Sequence, residues 1–259
     1  MAIPIDEVAH ALHNARATRS PIEPLTNRWP TVTTEDAYRV QQRFIDILLA
    51  EGRRVIGRKI GVTSRAVMSM LDVNQPDFGA LLDDMVVDLG GEIGIETLIQ
   101  PRAEGEIAFV LKRDLSGPGL TSADVLAATE GVMACFEIVD SRIKDWKIKI
   151  QDTVADNASC GVIVLGRQLV PLSGLDLYSC GMVLEKNGRI VGLGAGAASM
   201  GSPVNAVVWL ANTLGRLGVA LKAGDLILSG ALSGMVPCSR GDHFSLSIGG
   251  IGGCAVHFT

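Results

Sequence analysis

RVIGRKIGVT, residues 54–63, is where the chain changes its grammar. Upstream of it apolar residues recur at helical spacing. From it onward they come in short runs rich in Val and Ile, separated by glycines. The stretch therefore divides the chain into a helical N-terminal arm, residues 1–53, and an α+β domain, residues 54–259. Within it, Lys59 lies two residues from Gly57 and four from Val55, so in a strand the three share a face. If Val55 points inward, so does the ammonium. A lysine near a strand end also snorkels to water readily, and the spacing alone leaves both readings open.

Working back from residue 54, Ala37, Val40, Phe44 and Leu48 form the stripe of a helix. It starts at Thr33, with Asp36 three residues on in a capping-box arrangement, and stops at Gly52. Ile5, Val8, Ala9 and Leu12 mark an earlier helix, and Ser20-Pro21-Ile22-Glu23-Pro24 connects the two. Working forward, EIAFVL (106–111), VMACFEIV (132–139), GVIVLG (161–166), MVLEKNGRIV (182–191), LILSGA (226–231), HFSLSI (243–248) and CAVHF (254–258) read as strands. Asn187-Gly188 is a hairpin signal. Two helices interrupt the series, Ser122 to Glu130 and Pro203 to about Leu217, the latter with Ser202 as N-cap and Pro203 at its first position. Regular βαβ alternation is missing, which excludes a doubly wound sheet. One large, strongly bent mixed sheet is expected.

The 259 residues, 47 % hydrophobic and 20 % charged, are enough for a sizeable core. A net charge of −5 gives no reason to expect nucleic acid or an anionic membrane as a partner. No signal-peptide pattern opens the chain and no apolar run approaches membrane-spanning length, so a cytoplasmic protein is expected. The five cysteines (Cys135, Cys160, Cys180, Cys238, Cys254) form no C-x-x-C pair and read as small hydrophobes in a reducing compartment.

Three carboxylates stand out. In PRAEGEIAFV (101–110), Glu104 and Glu106 are two apart and share a strand face. Glu137 is the one polar side chain of VMACFEIV. An unpaired ionised carboxylate there would cost several kcal/mol, so it requires a cation. A salt bridge to Arg102 or Arg142 would satisfy one carboxylate. Three of them suit a hard divalent ion, magnesium or manganese, better. The histidines are His10, His13, His243 and His257, far from these strands in sequence, which argues against zinc.

Weaker signals come from three turns. VNQPDFG (73–79) carries Asp77 after Pro76, and DTVADNASCG (152–161) reads as a polar loop with Asp152, Asp156, Asn157 and Ser159. LSGALSG (228–234) offers Ser229 and backbone N–H groups to an anion, without the pattern of a P-loop.

Taken together, GRKIGVTS, VNQPDFGALLDDM, QPRAEGEIAFVL, FEIVDSRIKDWK, DTVADNASCGV, GAGAASMGSPVNAVVWLAN and AGDLILSGAL resemble, in order, the hydratase and decarboxylase branch of the fumarylacetoacetate hydrolase superfamily. The resemblance spans nearly the whole chain and implies that family's mixed, bent-sheet fold. Position by position it implies Glu104, Glu106 and Glu137 as magnesium or manganese ligands, Lys59 and Asp77 as catalytic groups, and Asn157, Ser159 and Ser229 as substrate contacts. The activity implied is hydration of 2-hydroxypenta-2,4-dienoate to 4-hydroxy-2-oxopentanoate in the meta-cleavage degradation of aromatic compounds. The alternative is decarboxylation of 4-oxalocrotonate, and a further one is a non-catalytic 2-oxo acid binding partner. A homo-oligomer is implied, with association with other enzymes of the pathway. Hydrolases of the superfamily use a histidine–glutamate pair, and no histidine lies between His13 and His243. Small or apolar departures around the carboxylates, such as Ala134-Cys135-Phe136, bear on pocket width rather than chemistry.

Overall fold

Three helices precede the first strand: α1 (Ile5–Thr18), α2 (Leu25–Arg28) and α3 (Thr34–Ala50). The computed structural model describes residues 2–88 and 90–259. The predicted start of α3 is a reciprocal cap: the Asp36 N–H donates to Thr33 Oγ1 at 3.1 Å, and the Asp36 carboxylate accepts from the Thr33 N–H at 3.4 Å. Its stripe Ala37, Val40, Phe44 and Leu48 is buried, as are Val8, Ala9 and Leu12 of α1.

There follow β1 (Val55–Gly61), α4 (Arg65–Met70), β2 (Asp77–Leu82), β3 (Val86–Val87), β4 (Glu92–Ile93) and β5 (Arg102–Leu111). Next come α5 (Ser122–Ala128), β6 (Thr129–Val139), α6 (Ile150–Ala155), β7 (Cys160–Leu165), β8 (Gly181–Lys186) and β9 (Arg189–Ala195). The chain ends with α7 (Pro203–Arg216), β10 (Leu226–Leu228), β11 (Val236–Pro237), β12 (His243–Ile248) and β13 (Gly252–Phe258).

The fold class is the predicted mixed α+β, with a large mixed sheet and a second, smaller one. The larger runs β2-β1-β10-β5-β6-β7-β3, with β11 added on β5, and the smaller runs β4-β13-β12-β8-β9. In the larger sheet β1 pairs parallel with β10 and β3 parallel with β7, and the remaining pairs are antiparallel. The hairpin between β8 and β9 turns on Asn187 and Gly188, both at positive φ (54° and 73°), as a tight two-residue turn requires. Among the described residues no helix is long and apolar enough to cross a membrane.

The large sheet is covered on both faces. On one side Leu12, Phe44 and Leu48 of the helical layer share a core with Leu81, Ala108, Cys135, Ile163 and Leu228. On the other, Ile107, Phe109 and Phe136 pack with the smaller sheet (Leu184, Phe244, Leu246, Phe258) and with α7 (Val207, Leu210). Strand alternation sends Ala108 into one core and Ile107 and Phe109 into the other. α3 ends at Ala50 and β1 begins at Val55, and the packing continues across that join.

Three local expectations are corrected. Val55 is 37 % exposed, and a register shift between Val55 and Gly57 breaks the alternation that was to carry it inward. The helix from Ser122 ends at Ala128, because Thr129 and Glu130 already belong to β6. The polar loop at 152–161 is instead the end of α6 followed by a tight turn at Asn157–Ser159. Asp152 is held there by Thr26, whose hydroxyl donates to it at 2.8 Å.

Candidate active site and metal centre

Two long strands build the centre. β5 and β6 run antiparallel with Glu104 opposite Glu137 and Glu106 opposite Cys135. This register draws carboxylate oxygens of Glu104, Glu106 and Glu137 to within 4.8 Å of one another. Glu106 and Glu137 are buried and Glu104 is half-buried. Burial, and then Glu137 across the strand pair, hold the Glu104 carboxyl up at about 7. Glu106 is pushed well above the carboxylate range by the same two causes.

Each carboxylate has a different set of partners. Glu106 accepts the Gly230 N–H at 2.8 Å. Glu137 faces the Lys59 ammonium at 3.2 Å, and neither of its oxygens makes a hydrogen bond. Neither arginine considered from sequence serves these carboxylates. Arg142 pairs with Asp156, and Arg102 lies over the Trp146 ring at 4.7 Å. Three oxygen-donor side chains converging on one point, one of them with no hydrogen bond of its own, fit a hard divalent cation.

Lys59 is 3 % exposed and donates to the Ala158 carbonyl at 2.9 Å. Burial alone would lower its pKa. The charges of Glu137, Asp77 and Glu104 outweigh that and leave it raised, so the ammonium stays charged. Asp77 begins β2 opposite Gly61 of β1. A Cβ at Gly61 would stand 2.2 Å from Asp77 Oδ1 and 3.2 Å from Lys59 Nζ, so the missing side chain is what lets both groups converge. Asp77 is 1 % exposed and neither oxygen has a hydrogen-bond partner. Burial pushes its carboxyl up, the Lys59 charge opposes this, and Glu137 adds to the rise.

The turn after α6 separates the remaining expected residues. Asn157, Ala158 and Ser159 all hold positive φ (54°, 49° and 54°), which aims the Ala158 carbonyl at Lys59. Arg142 anchors the turn, donating through its N–H at 2.9 Å and through its guanidinium to Asp156. Ser159 lines the cavity beside Lys59 and Asp77. Asn157 does not line it: its amide accepts from the Ala80 N–H at 2.7 Å and donates to the Ala80 carbonyl at 2.9 Å, fastening the turn to β2. Ser229 does not either. Its hydroxyl (2.8 Å) and its N–H (3.1 Å) both donate to the Ile107 carbonyl. These two expected substrate contacts are therefore spent on backbone. The anion that the glycine loop meets is Glu106 itself.

Two adjoining chambers, of about 460 and 510 Å³, meet at Gly61, Arg102 and Glu104. The first holds Lys59, Asp77 and Ser159. The second holds Glu106 and the loop Ala231–Met235. Val62, Val67, Met70 and Met235 give both an apolar wall. The sequence reading missed Gly61, the Ala158 carbonyl and the Gly230 N–H. Only Gly230 had a signal, in the backbone donors expected of LSGALSG.

The family model described as fumarylacetoacetate (FAA) hydrolase C-terminal matches residues 65–259. The chain is 61 % identical to a 2-hydroxypent-2,4-dienoate hydratase of Pseudomonas putida over 217 residues, covering 83 % of this chain and 98 % of that one. It is 53 % identical to a 2-hydroxyhexa-2,4-dienoate hydratase of Comamonas testosteroni, covering 98 % and 97 %. Among solved structures it superposes with TM-score 0.96 and 37 % identity on the 4-oxalocrotonate decarboxylase of Pseudomonas putida G7 complexed with magnesium and adipate, covering 98 % of this chain and 97 % of that one.

Proposed function

The chain belongs to the fumarylacetoacetate hydrolase family, and from that premise we propose that it is a divalent-metal-dependent hydratase. It adds water to 2-hydroxypenta-2,4-dienoate to give 4-hydroxy-2-oxopentanoate, in the meta-cleavage catabolism of aromatic compounds. The relatives that match it at 53 % and 61 % identity bear hydratase names. One observation carries the reading: Asp77, a buried carboxylate whose oxygens have no hydrogen-bond partner, shares a chamber with Lys59 and Glu104. Water addition needs a base beside the electron sink, whereas loss of carbon dioxide does not.

Glu104, Glu106 and Glu137 would hold magnesium or manganese. Bound there, the ion supplies a Lewis acid and a template for the 2-oxo acid end of the substrate. Lys59, kept charged by its neighbours, balances the substrate carboxylate and steadies negative charge developing at the C2 oxygen. Ser159 offers a hydroxyl on the same wall. The C2 hydroxyl gives up its proton as C5 gains one; Asp77 then orients the water and takes its proton as the oxygen bonds to C4, and a proton added at C3 completes the product. The apolar wall of Val62, Val67, Met70 and Met235 keeps bulk water from the dienoate.

The second reading, 4-oxalocrotonate decarboxylase, is favoured by the structural likeness and by Arg102, a cation lining both chambers. The purified protein with magnesium should bleach the ultraviolet absorbance of 2-hydroxypenta-2,4-dienoate and form 4-hydroxy-2-oxopentanoate. Carbon dioxide release from 2-oxohex-3-enedioate without that hydration would replace hydratase by decarboxylase, and silence in both assays would remove catalysis.

The proposed setting is the cytoplasm, as a homo-oligomer associated with other enzymes of the pathway. Ile190 and Leu193 of the edge strand β9, 60 % and 67 % exposed, support an interface between copies. Light scattering at working concentration reads this directly, and a monomer would refute it.

A further inference from the structure

Asp77 also borders a third cavity. A space of about 520 Å³ reaches it from the helical layer, lined by Thr34 and Tyr38 of α3, Gln151 of α6 and the turn Asn74–Pro76. Among the described residues, Asp77 alone lines both this space and the chamber that holds Lys59. The wall is set by α3, where Tyr38 stacks on Phe78 with ring centroids 4.5 Å apart and planes at 19°. Hydroxyl, phenol and amide groups line it, and a polar space of this size takes up water. Asp77, one of its lining residues, is 1 % exposed, and neither of its carboxylate oxygens has a hydrogen-bond partner.

The reaction read above, on which this inference rests, consumes one water per turnover. A dienoate seated against Lys59 and Glu104 occupies the side of Asp77 that faces that chamber and displaces water from it. The attacking water then has to reach Asp77 from the other side. We propose that the cavity between α3 and α6 is the water entrance, separate from the entrance of the organic substrate, with Asp77 as the partition between them. Thr34, Tyr38 and Gln151 are positioning residues on that route and touch no reacting atom. The balance is that of hydration of a dienol: the C2 hydroxyl gives up its proton as C5 gains one, and the water oxygen bonds to C4 while one of its protons passes to Asp77. C3 then gains one proton, and the Asp77 carboxylate is restored once its own proton is released.

The test plugs one entrance at a time. In the magnesium-loaded enzyme, Gln151→Trp, and independently Thr34→Trp on the other wall, should lower formation of 4-hydroxy-2-oxopentanoate roughly tenfold or more. Deuterium uptake from heavy water into the dienoate, which reports tautomerisation without hydration, should stay within roughly twofold of the unsubstituted enzyme. Hydration that is unchanged, or that falls in step with deuterium uptake, overturns the proposal. A second measurement needs no turnover. In Asp77→Cys combined with Met70→Trp, which plugs the substrate side, a small methanethiosulfonate reagent should still label residue 77, as read by mass spectrometry. In Asp77→Cys combined with Gln151→Trp, labelling should slow sharply, and the reverse pattern overturns the entrance. If the unsubstituted enzyme hydrates nothing, the functional reading fails, and the labelling pattern still decides the route.

Discussion

Glu104 and Glu137 lie directly opposite each other on the paired strands β5 and β6, two acids where a sheet ordinarily avoids like charges. Glu106 adds a third carboxylate within 4.8 Å, and the Lys59 ammonium stands 3.2 Å from Glu137. Burial and Glu137 push Glu104 and Glu106 toward the neutral form, and a divalent cation would draw these carboxyls into the ionised state.

Magnesium or manganese should therefore stabilise the folded protein. At a free concentration one hundred times the dissociation constant the gain is about 2.7 kcal/mol. Calorimetry with and without chelator should show a higher Tm in the metal, and Glu106→Gln should remove most of that increase together with metal-dependent activity. An unchanged metal response in Glu106→Gln would sink the ligand assignment.

The acids also fix a pH dependence. The Glu104 carboxyl stands at about 7 in the fold against an ordinary 4.5, because burial and Glu137 oppose its ionisation. For a raised acid the folded state holds the proton more tightly than the unfolded one, so stability falls as pH rises between these two values. The chelated protein should melt lower near pH 8 than near pH 6 as far as Glu104 is concerned. Saturating metal should reverse that trend, since the ion takes the place of the proton. Equal slopes with and without metal would contradict it.

Gly61→Ala should impair catalysis more than folding. Its new methyl would meet Asp77 Oδ1 at 2.2 Å, and the carboxylate has to swing away from Lys59. A fall in kcat of roughly tenfold or more, comparable to that of Asp77→Asn, is expected with the metal response of Tm retained. Wild-type kcat in Gly61→Ala would show that Asp77 needs no fixed placement.

Asn157→Ala should act through stability. It removes both amide hydrogen bonds to Ala80 and leaves buried backbone groups unpartnered, at a cost of about 1–3 kcal/mol. Denaturant titration should find this loss while KM changes little at a temperature where the variant is folded. A large KM increase with unchanged stability would restore Asn157 as a substrate contact.

The reciprocal cap of α3 and the Asn187-Gly188 hairpin were legible because each is a local signal with its own geometry. The three carboxylates were legible for a different reason, since Glu137 has no company in its apolar run. What escaped was non-local. No spacing rule says that Gly61 must lack a side chain for the sake of Asp77, or that the Gly230 N–H would be turned toward Glu106. Asn157 and Ser229 carry the residue types of a substrate site, yet their hydrogen bonds go to Ala80 and Ile107, partners fixed only by tertiary packing. Val55 misled because a register shift interrupts the period of two on which its inward reading rested.

β5 carries chemistry on one face and core on the other, with Glu104, Glu106 and Ala108 alternating with Gly105, Ile107 and Phe109. A Cβ at Gly105 would already stand 2.6 Å from the Met182 sulfur and 2.7 Å from a Leu246 methyl. Loss of a single codon upstream in this strand would turn both acids toward those side chains and bring Ile107 round to the place of Glu106. The strand can thus exchange residues over evolutionary time but cannot change length. Its reading frame in space is as strict as the one in its gene.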